Sequence, residues 1–385
     1  MIDILSFFMN KYFAIFICIW AILGYVILNK IFKSIEKYKN ISNDTKNKYK
    51  DFVRNDWKHW SFIKLYIGFI LFSWIKLTLA VLTVILSYAC IRIITFNKDI
   101  TCIDKKLRNR LTICAKISGL MFSLSCGIFT RIKYINADYT EYLGNNYNTN
   151  INNNFNKEEK YASIVSNHIS WLDIALLMKE TGCGFIASSA VKSFFMVGTV
   201  CSWIGSIYVD RTSKDDRNNS LLKLQEKLSN IYNEKDSSNL AIFPEGTTTN
   251  GTCILPFKKG AFCQMYPVKP IIIKTDVINR ISLAMDIIEM LNHIIIICCV
   301  PYYIVELRVL PVFNPDNSYF KSIYIKNIKE KIKSKTNKHI EDWEVYADSV
   351  RQCIIKYGNF ENGSSGYSDK REFLDRIRSK NKQSI

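Results

Sequence analysis

Two long apolar segments near the amino terminus constrain this chain more than any other feature of its sequence. Residues 12–28, YFAIFICIWAILGYVIL, form an uncharged run of 17 residues, close to the shortest helix that spans a bilayer. The opening MIDILSFFMN has neither the basic start nor the small-residue cleavage site of a signal peptide. We therefore expect residues 1–40 to be an uncleaved membrane anchor, with the lysines that follow the apolar run in the cytosol.

The second apolar segment, residues 65–96, is too long for one perpendicular crossing. Its 32 residues would extend about 48 Å as a helix, against a hydrocarbon core of about 30 Å. Lys76 lies near its middle, and basic stretches flank both ends, which favours a re-entrant hairpin with both ends in the cytosol. One long tilted helix is the alternative. We expect residues 60–135 to contain this hairpin and an interfacial helix within residues 111–130.

The charge balance points to anionic partners. The formal net charge is +18, which suits an acidic membrane surface or a phosphate-bearing substrate, although solvated basic faces are an equally simple explanation. The sequence contains no zinc-finger spacing or aromatic strand pair typical of nucleic-acid binding, so we expect no nucleic-acid partner. The 12 cysteines form no Cys-x-x-Cys pair, and we expect them to be reduced.

Beyond residue 136 the composition changes twice. Residues 136–158 are rich in asparagine and predict a disordered insertion. In residues 159–315, short β-branched runs alternate with helix-like segments, which predicts an α/β fold with a largely parallel sheet and flanking helices. Residues 316–385 form a basic extension whose last part, 357–385, is polar and expected to be exposed. The predicted strands are ASIVS, GFIAS, SIYVD, NLAIF, KPIIIK and YIVELRVL, and the predicted helices are 171–180, 190–203, 215–234, 279–297 and 343–356.

His168 lies between the predicted strand ASIVS and the helix that follows it. Ser170 and Asp173 match a capping box, in which both side chains satisfy amides of the first helical turn. The functional alternative is that Asp173 orients and polarises the imidazole of His168, which then removes a proton from an alcohol. The two can meet only if the histidine precedes the helix, because four intervening helical residues would separate them around the axis.

Two further strand ends carry polar side chains. NLAIFPEGTTTNG runs a strand into Pro244, Glu245 and a row of threonines, and WIGSIYVDR ends a strand at Asp210 and Arg211. A guanidinium at a strand end can bind a phosphate, whereas a plain turn and a surface ion pair are the alternatives. Polar groups at three strand ends together favour a site at the carboxyl edge of the sheet.

The segments NHISWLD, GSIYVDR, FPEGTTTNG and PVKPIII resemble, in order and spacing, the four motifs of the glycerolipid acyltransferases, which include the lysophosphatidic acid acyltransferases. The resemblance covers about residues 160–275. The wording of FPEGTTTNG and FKKGAF is most similar to the branch that acylates lysophosphatidylcholine and lysophosphatidylethanolamine, whose members also have an apolar membrane hairpin before the first motif.

The resemblance implies roles for individual residues. His168 would be the general base and Asp173 its orienting partner, whereas Pro270 would shape the site. Many lysophosphatidic acid enzymes have an arginine where this chain has Thr248, so a bare phosphomonoester acceptor is the less expected substrate. The expected substrate-binding or positioning residues are Lys192, Gly205, Arg211, Glu245, Gly246 and Thr247.

The activity implied by the resemblance is acyl transfer from acyl-CoA, as co-substrate, to the free hydroxyl of a lysophospholipid, without a metal or other cofactor. A covalent acyl-enzyme through Ser170 or a cysteine is the competing scheme, although no nucleophile-elbow pattern occurs. The rival functions are a CoA-independent transacylase and an inactive membrane-binding member of the family. The expected location is the endoplasmic reticulum membrane, with the active site facing the cytosol, and a plastid is the second choice.

Overall fold

The structure is a computed structural model that describes residues 11–145, 162–209, 214–233, 238–275, 280–285, 287–337 and 339–382 of the chain. Two predictions fall largely or wholly outside these ranges. Arg211 is one, and residues 146–158 of the expected Asn-rich insertion are the other.

The amino-terminal part consists of helices. These are α1 (Lys11–Lys39), α2 (Asn43–Lys48), α3 (Phe62–Ile94) and α4 (Lys105–Ser125). Within α1 and α3, the segments Tyr12–Lys39 and Phe62–Ile94 are long and apolar enough to cross a membrane, judged by length and composition alone.

The prediction of a hairpin inside residues 65–96 is wrong, because α3 continues through this segment with only a π-helical turn at Phe69–Ser73. Lys76, which suggested a break, is buried and donates hydrogen bonds to the carbonyl oxygens of Cys126 (3.0 Å) and Val300 (2.6 Å). A buried ammonium is tolerated where its N–H groups are satisfied, so the helix does not need to break there. The chain reverses after α3, and α4 packs against α3 as the second arm of a hairpin.

The strands begin directly after α4, at Ile128. All six predicted strands are confirmed, with ends shifted by at most one residue. Strand β1 was not predicted; its first three residues, 128–130, fall within the apolar stretch that predicted an interfacial helix. The strands are β1 (Ile128–Tyr134), β2 (Ser163–Ser166), β3 (Gly184–Ser188), β4 (Ile207–Val209), β5 (Leu240–Ile242), β6 (Cys253–Ile254), β7 (Val268–Thr275), β8 (Tyr303–Val309) and β9 (Glu361–Asn362).

The main sheet has the order β1-β8-β7-β2-β5-β3-β4, and β6 pairs separately with β9. Every neighbouring pair in the main sheet is parallel except β7 with β8. Neighbouring residues of one strand enter opposite hydrophobic clusters, as Ile164 and Val165 of β2 do. Both faces of the sheet are therefore covered, as expected for a parallel sheet with flanking helices.

The helices that follow α4 cover these two faces. The predicted helix 190–203 is split in two, and only the second half of the predicted helix 279–297 is helical. The helices are α5 (Thr140–Leu143), α6 (Asp173–Thr181), α7 (Ser189–Lys192), α8 (Phe195–Trp203), α9 (Lys214–Tyr232), α10 (Met290–Cys299), α11 (Ile325–Thr336), α12 (Asp342–Gly358) and α13 (Tyr367–Lys382).

Two expectations of disorder or exposure are corrected. Within the predicted insertion 136–158, Ala137, Tyr139 and Leu143 are buried in the core, because aromatic and aliphatic residues are interspersed among the polar ones. Within the polar segment 357–385, α13 buries Phe373 against the amino-terminal part. Its few apolar residues share one helix face, a signal too sparse to stand out in the sequence.

Candidate active site

Asn167 fixes the chain at the point where β2 ends. Its side-chain amide donates to the carbonyl oxygen of Ile273 at 2.9 Å, and its Oδ1 accepts the N–H of Ile273 at 2.8 Å. The side chain therefore continues the pairing of β2 with β7 for one further position. Because Asn167 is buried and both of these bonds are made, the backbone of the next residue, His168, has a defined place.

The imidazole of His168 is held by Asp173, the first residue of α6. Nδ1 of His168 lies 2.8 Å from Oδ2 of Asp173. The same oxygen accepts the backbone N–H groups of Ile169 at 2.7 Å and of Ser170 at 2.8 Å. Because a carboxylate only accepts hydrogen bonds, Nδ1 carries the proton and Nε2 presents a lone pair.

Asp173 makes both the capping contacts and the contact with the imidazole that the functional interpretation requires. Its carboxylate accepts the N–H of Ser170, as in a capping box, and Oγ of Ser170 accepts the N–H of Leu172 at 3.3 Å. The carboxylate that orders the start of α6 is therefore the one that orients the imidazole. A substitution of Asp173 therefore affects both the start of α6 and the orientation of the imidazole.

The two side chains of the pair differ in exposure. The side chain of Asp173 is 1% exposed and that of His168 is 21% exposed. The imidazole stacks on the ring of Phe243, with 4.1 Å between centroids and 14° between planes. The pair thus has a sealed carboxylate and a partly accessible base, and the low local dielectric strengthens the hydrogen bond between them.

Glu245 comes from the neighbouring strand end, after β5. Its Oε1 accepts the backbone N–H of His168 at 2.8 Å, and its Oε2 accepts the N–H of Leu255 at 2.9 Å. Burial raises the pKa of the Glu245 carboxyl to about 8, an effect that these two amides oppose and the charge of Asp173 reinforces. Both oxygens of this buried carboxyl group are used on backbone amides, which agrees with positioning, one of the two roles that the resemblance implies, and that role stays a prediction.

The loop after Glu245 returns to the histidine. Gly246 has a φ of +68°, a left-handed conformation that favours glycine, and Thr247 beside it is half-buried. Oγ1 of Thr248 donates to the carbonyl oxygen of Met285 at 2.7 Å, and the N–H of Thr249 donates to the carbonyl oxygen of His168 at 3.1 Å. This loop therefore lies directly against the candidate base.

Of the other expected binding residues, Gly205 lies far from the histidine. It precedes β4 with a φ of +90°, and Gly184, the first residue of β3, packs on its backbone. The amino ends of these parallel strands lie at the edge of the sheet opposite to His168. The expectation that Gly205 binds substrate is therefore wrong. It is a turn residue that the motif contains for a conformational reason.

Lys192 lies beyond the carboxyl end of β3, at the same edge as His168 but two strands away in the sheet. It is exposed, and its Nζ lies 5.9 Å from the ring centroid of Tyr208. This position leaves it able to meet an anionic group that approaches the carboxyl edge. Its role in substrate binding stays a prediction, as does that of Arg211.

Several positioning residues were missed from the sequence. Asn167 and Phe243 lie inside recognised motifs but were given no role, although an amide directly after a strand is a usable signal. Trp171 donates through Nε1 to Nδ1 of His293 at 3.1 Å, and burial together with the charge of Arg54 lowers the pKa of His293 to about 3. The neutral His293 thus anchors the turn after His168 to α10. Among the described ranges, no cluster of three or more His, Cys, Asp or Glu side chains suits a metal ion.

Residues 148–274 match the family model described as Acyltransferase. Lysophospholipid acyltransferase LPEAT1 of Arabidopsis thaliana is 33% identical over 214 residues, which are 55% of this chain and 48% of that protein. Lysophosphatidylcholine acyltransferase 1 of Homo sapiens is 25% identical over 165 residues, 42% of this chain and 30% of that protein.

Two further proteins are similar to part of this chain. Lyso-ornithine lipid O-acyltransferase of Rhodobacter capsulatus is 29% identical over 105 residues, which are 27% of this chain and 36% of that protein. The crystal structure of the 1-acyl-sn-glycerophosphate acyltransferase PlsC of Thermotoga maritima matches with a TM-score of 0.40 and 16% identity, over 69% of this chain and 98% of that chain.

The matched segments cover less than half the length of each of the three curated relatives. The family model covers a third of the present chain and includes the His168–Asp173 pair, Glu245 and the threonine loop. Residues 148–274 of this chain, which carry the candidate site, are therefore similar to the Acyltransferase family.

Proposed function

We propose that this protein transfers a fatty acyl chain to the free hydroxyl of a lysophospholipid, such as 1-acylglycerol-3-phosphate, lysophosphatidylcholine or lysophosphatidylethanolamine. The observation that carries the proposal is the 2.8 Å contact between Nδ1 of His168 and Oδ2 of Asp173, which leaves Nε2 as a base at the edge of the sheet. The names of the three curated relatives support this acceptor class, because each of them describes an acyltransferase that acts on a lysolipid.

The chemistry follows from the tautomer of His168. Nε2 accepts the proton of the acceptor hydroxyl as its oxygen attacks the acyl carbonyl carbon of acyl-CoA, and the thioester C–S bond breaks. The coenzyme leaves as a thiolate, which takes the proton from Nε2 and regenerates the base. The buried carboxylate of Asp173 stabilises the imidazolium that exists between these steps, and general base catalysis of this kind contributes about 10² to 10⁴ in rate.

The remaining predicted site residues have distinct proposed roles. Glu245 and Asn167 hold the backbone of His168, whereas Gly246 and Thr247 shape the wall of the site beside it. Lys192 and Arg211 supply positive charge for the phosphate groups of acyl-CoA or of the lipid. Reaction requires the base and the acceptor hydroxyl to be held in a near-attack geometry. This requirement explains why many contacts of the site serve to position His168.

The protein is proposed to work at a membrane. The contacts of Lys76 place one face of α3 against the α/β fold, whereas Ile75, Leu79 and Leu82 of the same helix are exposed and apolar. An apolar face of this kind fits lipid, which places the site close to its acceptor. We propose the endoplasmic reticulum as the membrane, with the site on the cytosolic side where acyl-CoA is found, and a plastid as the second candidate.

One assay separates this function from its rivals. The purified full chain is given one radiolabelled acyl-CoA and a panel of lysophospholipids that differ only in headgroup, with His168→Ala as the matched control. Labelled diacyl product from the wild type and its loss in the variant support the proposal. Product formed only from an unlabelled phospholipid donor identifies a CoA-independent transacylase. If wild type and variant both bind vesicles but form no product from either donor, the protein is an inactive membrane-binding member.

A further inference from the structure

The carboxyl-terminal helix α13 reaches the candidate active site through Lys370. Nζ of Lys370 donates to Oγ1 of Thr248 at 2.7 Å and to the carbonyl oxygen of Thr248 at 2.8 Å. Lys370 is 8% exposed, so its ammonium is held inside the fold. The two residues are 122 positions apart in the sequence, and Lys370 lies outside the segment matched by the family model.

We propose that Lys370 is a positioning residue of the acyl-transfer site and acts by holding the loop that carries Thr248. The inference rests on the proposed function. It also assigns a role to a part of the chain, residues 363–382, that neither the sequence motifs nor the family match connects with the reaction.

The position of Thr248 makes this contact informative. Many lysophosphatidic acid enzymes have an arginine there, so the sequence of this chain suggests a loop without a cation. In the folded protein an ammonium from α13 is bonded to that same residue. Its hydrogen bonds are charge-assisted, which makes them shorter and stronger than bonds between neutral groups.

Thr248 transmits this restraint to both sides of the histidine. Its Oγ1 donates to the carbonyl oxygen of Met285, and the N–H of Met285 donates to the carbonyl oxygen of Ile169 at 2.7 Å. On the other side, the N–H of Thr249 donates to the carbonyl oxygen of His168. The loop is therefore bonded directly to the carbonyl oxygen of His168 and, through Met285, to that of Ile169, and Lys370 fixes the loop.

The helix that carries Lys370 is itself held firmly. Phe373, one turn further along, is fully buried, and its ring centroid lies 5.1 Å from that of Tyr49. The chain before the helix is fixed by Asp51, whose Oδ2 accepts the N–H groups of Ser364 at 3.3 Å and of Ser365 at 3.2 Å. These contacts anchor α13, so the position of the Lys370 ammonium is determined by packing and is independent of any substrate.

Loss of the ammonium should loosen the loop and misplace the base. Misplacement of reacting groups by about 1 Å costs about 10²-fold in rate. For Lys370→Met, which keeps most of the side-chain volume, we expect kcat to fall by about 10- to 100-fold with KM changed by less than about threefold. Lys370→Arg keeps the positive charge and should recover at least a third of the wild-type kcat.

The experiment measures kcat and KM on the full chain in detergent for the wild type, Lys370→Met, Lys370→Arg, Thr248→Val and the double variant Lys370→Met/Thr248→Val. Arg378→Met removes an exposed cation from the same helix and is the matched control. Since both residues act through one contact, we expect the double variant to be no more than about threefold slower than the slower single variant. Amide hydrogen exchange of residues 245–252 should be faster in Lys370→Met and unchanged in Arg378→Met.

The outcomes separate this inference from the proposed function. A wild type without acyl-transfer activity refutes the proposed function and, with it, the catalytic part of the inference. An active wild type with Lys370→Met at wild-type kcat overturns the inference alone, as does an additive loss in the double variant. If Lys370→Met is slow only because it unfolds, its thermal midpoint falls and Lys370→Met/Thr248→Val loses activity additively, which also overturns it.

Discussion

Oδ2 of Asp173 lies 2.8 Å from Nδ1 of His168 and also accepts two backbone N–H groups of the turn between them. One oxygen atom thus fixes the tautomer of the imidazole, the orientation of its ring and the start of α6. The sequence left capping and catalysis as alternatives for this carboxylate. In the folded protein one oxygen makes the contacts that both alternatives require, so they do not exclude each other.

Replacement of Asp173 by Asn should remove the preference for the reactive tautomer. The neutral amide can turn its NH₂ group towards Nδ1, which leaves the proton on Nε2 and abolishes the base. We expect kcat to fall by about 10² to 10⁴-fold with KM nearly unchanged. Steady-state kinetics with circular dichroism as a folding control measure this. An Asp173→Asn protein within threefold of the wild type would refute the assigned orienting role.

Glu245 predicts a pH dependence of stability. Its carboxyl has a pKa of about 8 in the folded protein, against an ordinary value of 4.5, because it is buried. Between these two values the folded state holds a proton that the unfolded state has released, so the contribution of Glu245 to stability is greatest below about pH 4.5 and falls as pH rises towards about 8. The thermal midpoint should therefore fall across this window in the wild type and fall less in Glu245→Gln.

The control for this prediction is Glu226→Gln, which changes an exposed carboxylate on α9. Its midpoint should follow that of the wild type at every pH. Parallel curves for the wild type and Glu245→Gln from pH 5 to pH 8 would show that Glu245 is ionised throughout and would contradict the effect of burial.

Asn167→Ala should destabilise the fold and slow the reaction together. The substitution leaves the N–H and the carbonyl of Ile273 unpaired in a buried place, which costs about 1 to 3 kcal/mol for each group left unsatisfied. We expect the free energy of unfolding by urea to fall by about 2 to 4 kcal/mol. Asn167→Asp, which turns a carboxylate oxygen towards the carbonyl of Ile273, should be at least as unstable. Wild-type stability in either variant would remove the argument that this amide extends β2.

Although α3 is one continuous helix, the basic stretches before and after it predict that both of its flanks lie on the cytosolic side, with α3 along the interface instead of across the bilayer. Lys50 and Lys105 are exposed, lie before and after α3, and belong to basic stretches that favour the cytosolic side. Single cysteines at these positions, in a background that lacks the other exposed cysteines, should both react with an impermeant reagent from the same side of sealed vesicles. Labelling from opposite sides would show that α3 crosses the bilayer completely.

The sequence predicted the sheet well because its strands are short β-branched runs bounded by turn residues, a local pattern. The His168–Asp173 contact could be predicted for a similar reason, since a histidine before a helix and a carboxylate in its first turn are close along the chain. Local patterns failed where a distant partner decides the outcome. Lys76 seemed to break α3 only because its carbonyl partners, Cys126 and Val300, are 50 and 224 residues away.

The place of a residue in a motif did not predict its contacts in the folded protein. Gly205 and Glu245 both lie in motifs that suggest substrate contact, yet one turns the chain at the opposite edge of the sheet and the other holds backbone amides. Lys370 illustrates the reverse case. It lies in no motif, and only the packing of α13 brings its ammonium to Thr248. Long-range contacts of this kind have no signal in a single sequence.

The central claim is tested most directly by the rate of acyl transfer from acyl-CoA to a lysophospholipid in His168→Ala compared with the wild type. Nε2 of His168 is the proposed base, and the side chain is only partly buried, so the variant should fold and should lose about 10² to 10⁴-fold in kcat. A folded His168→Ala protein that transfers the acyl chain at the wild-type rate would contradict the account.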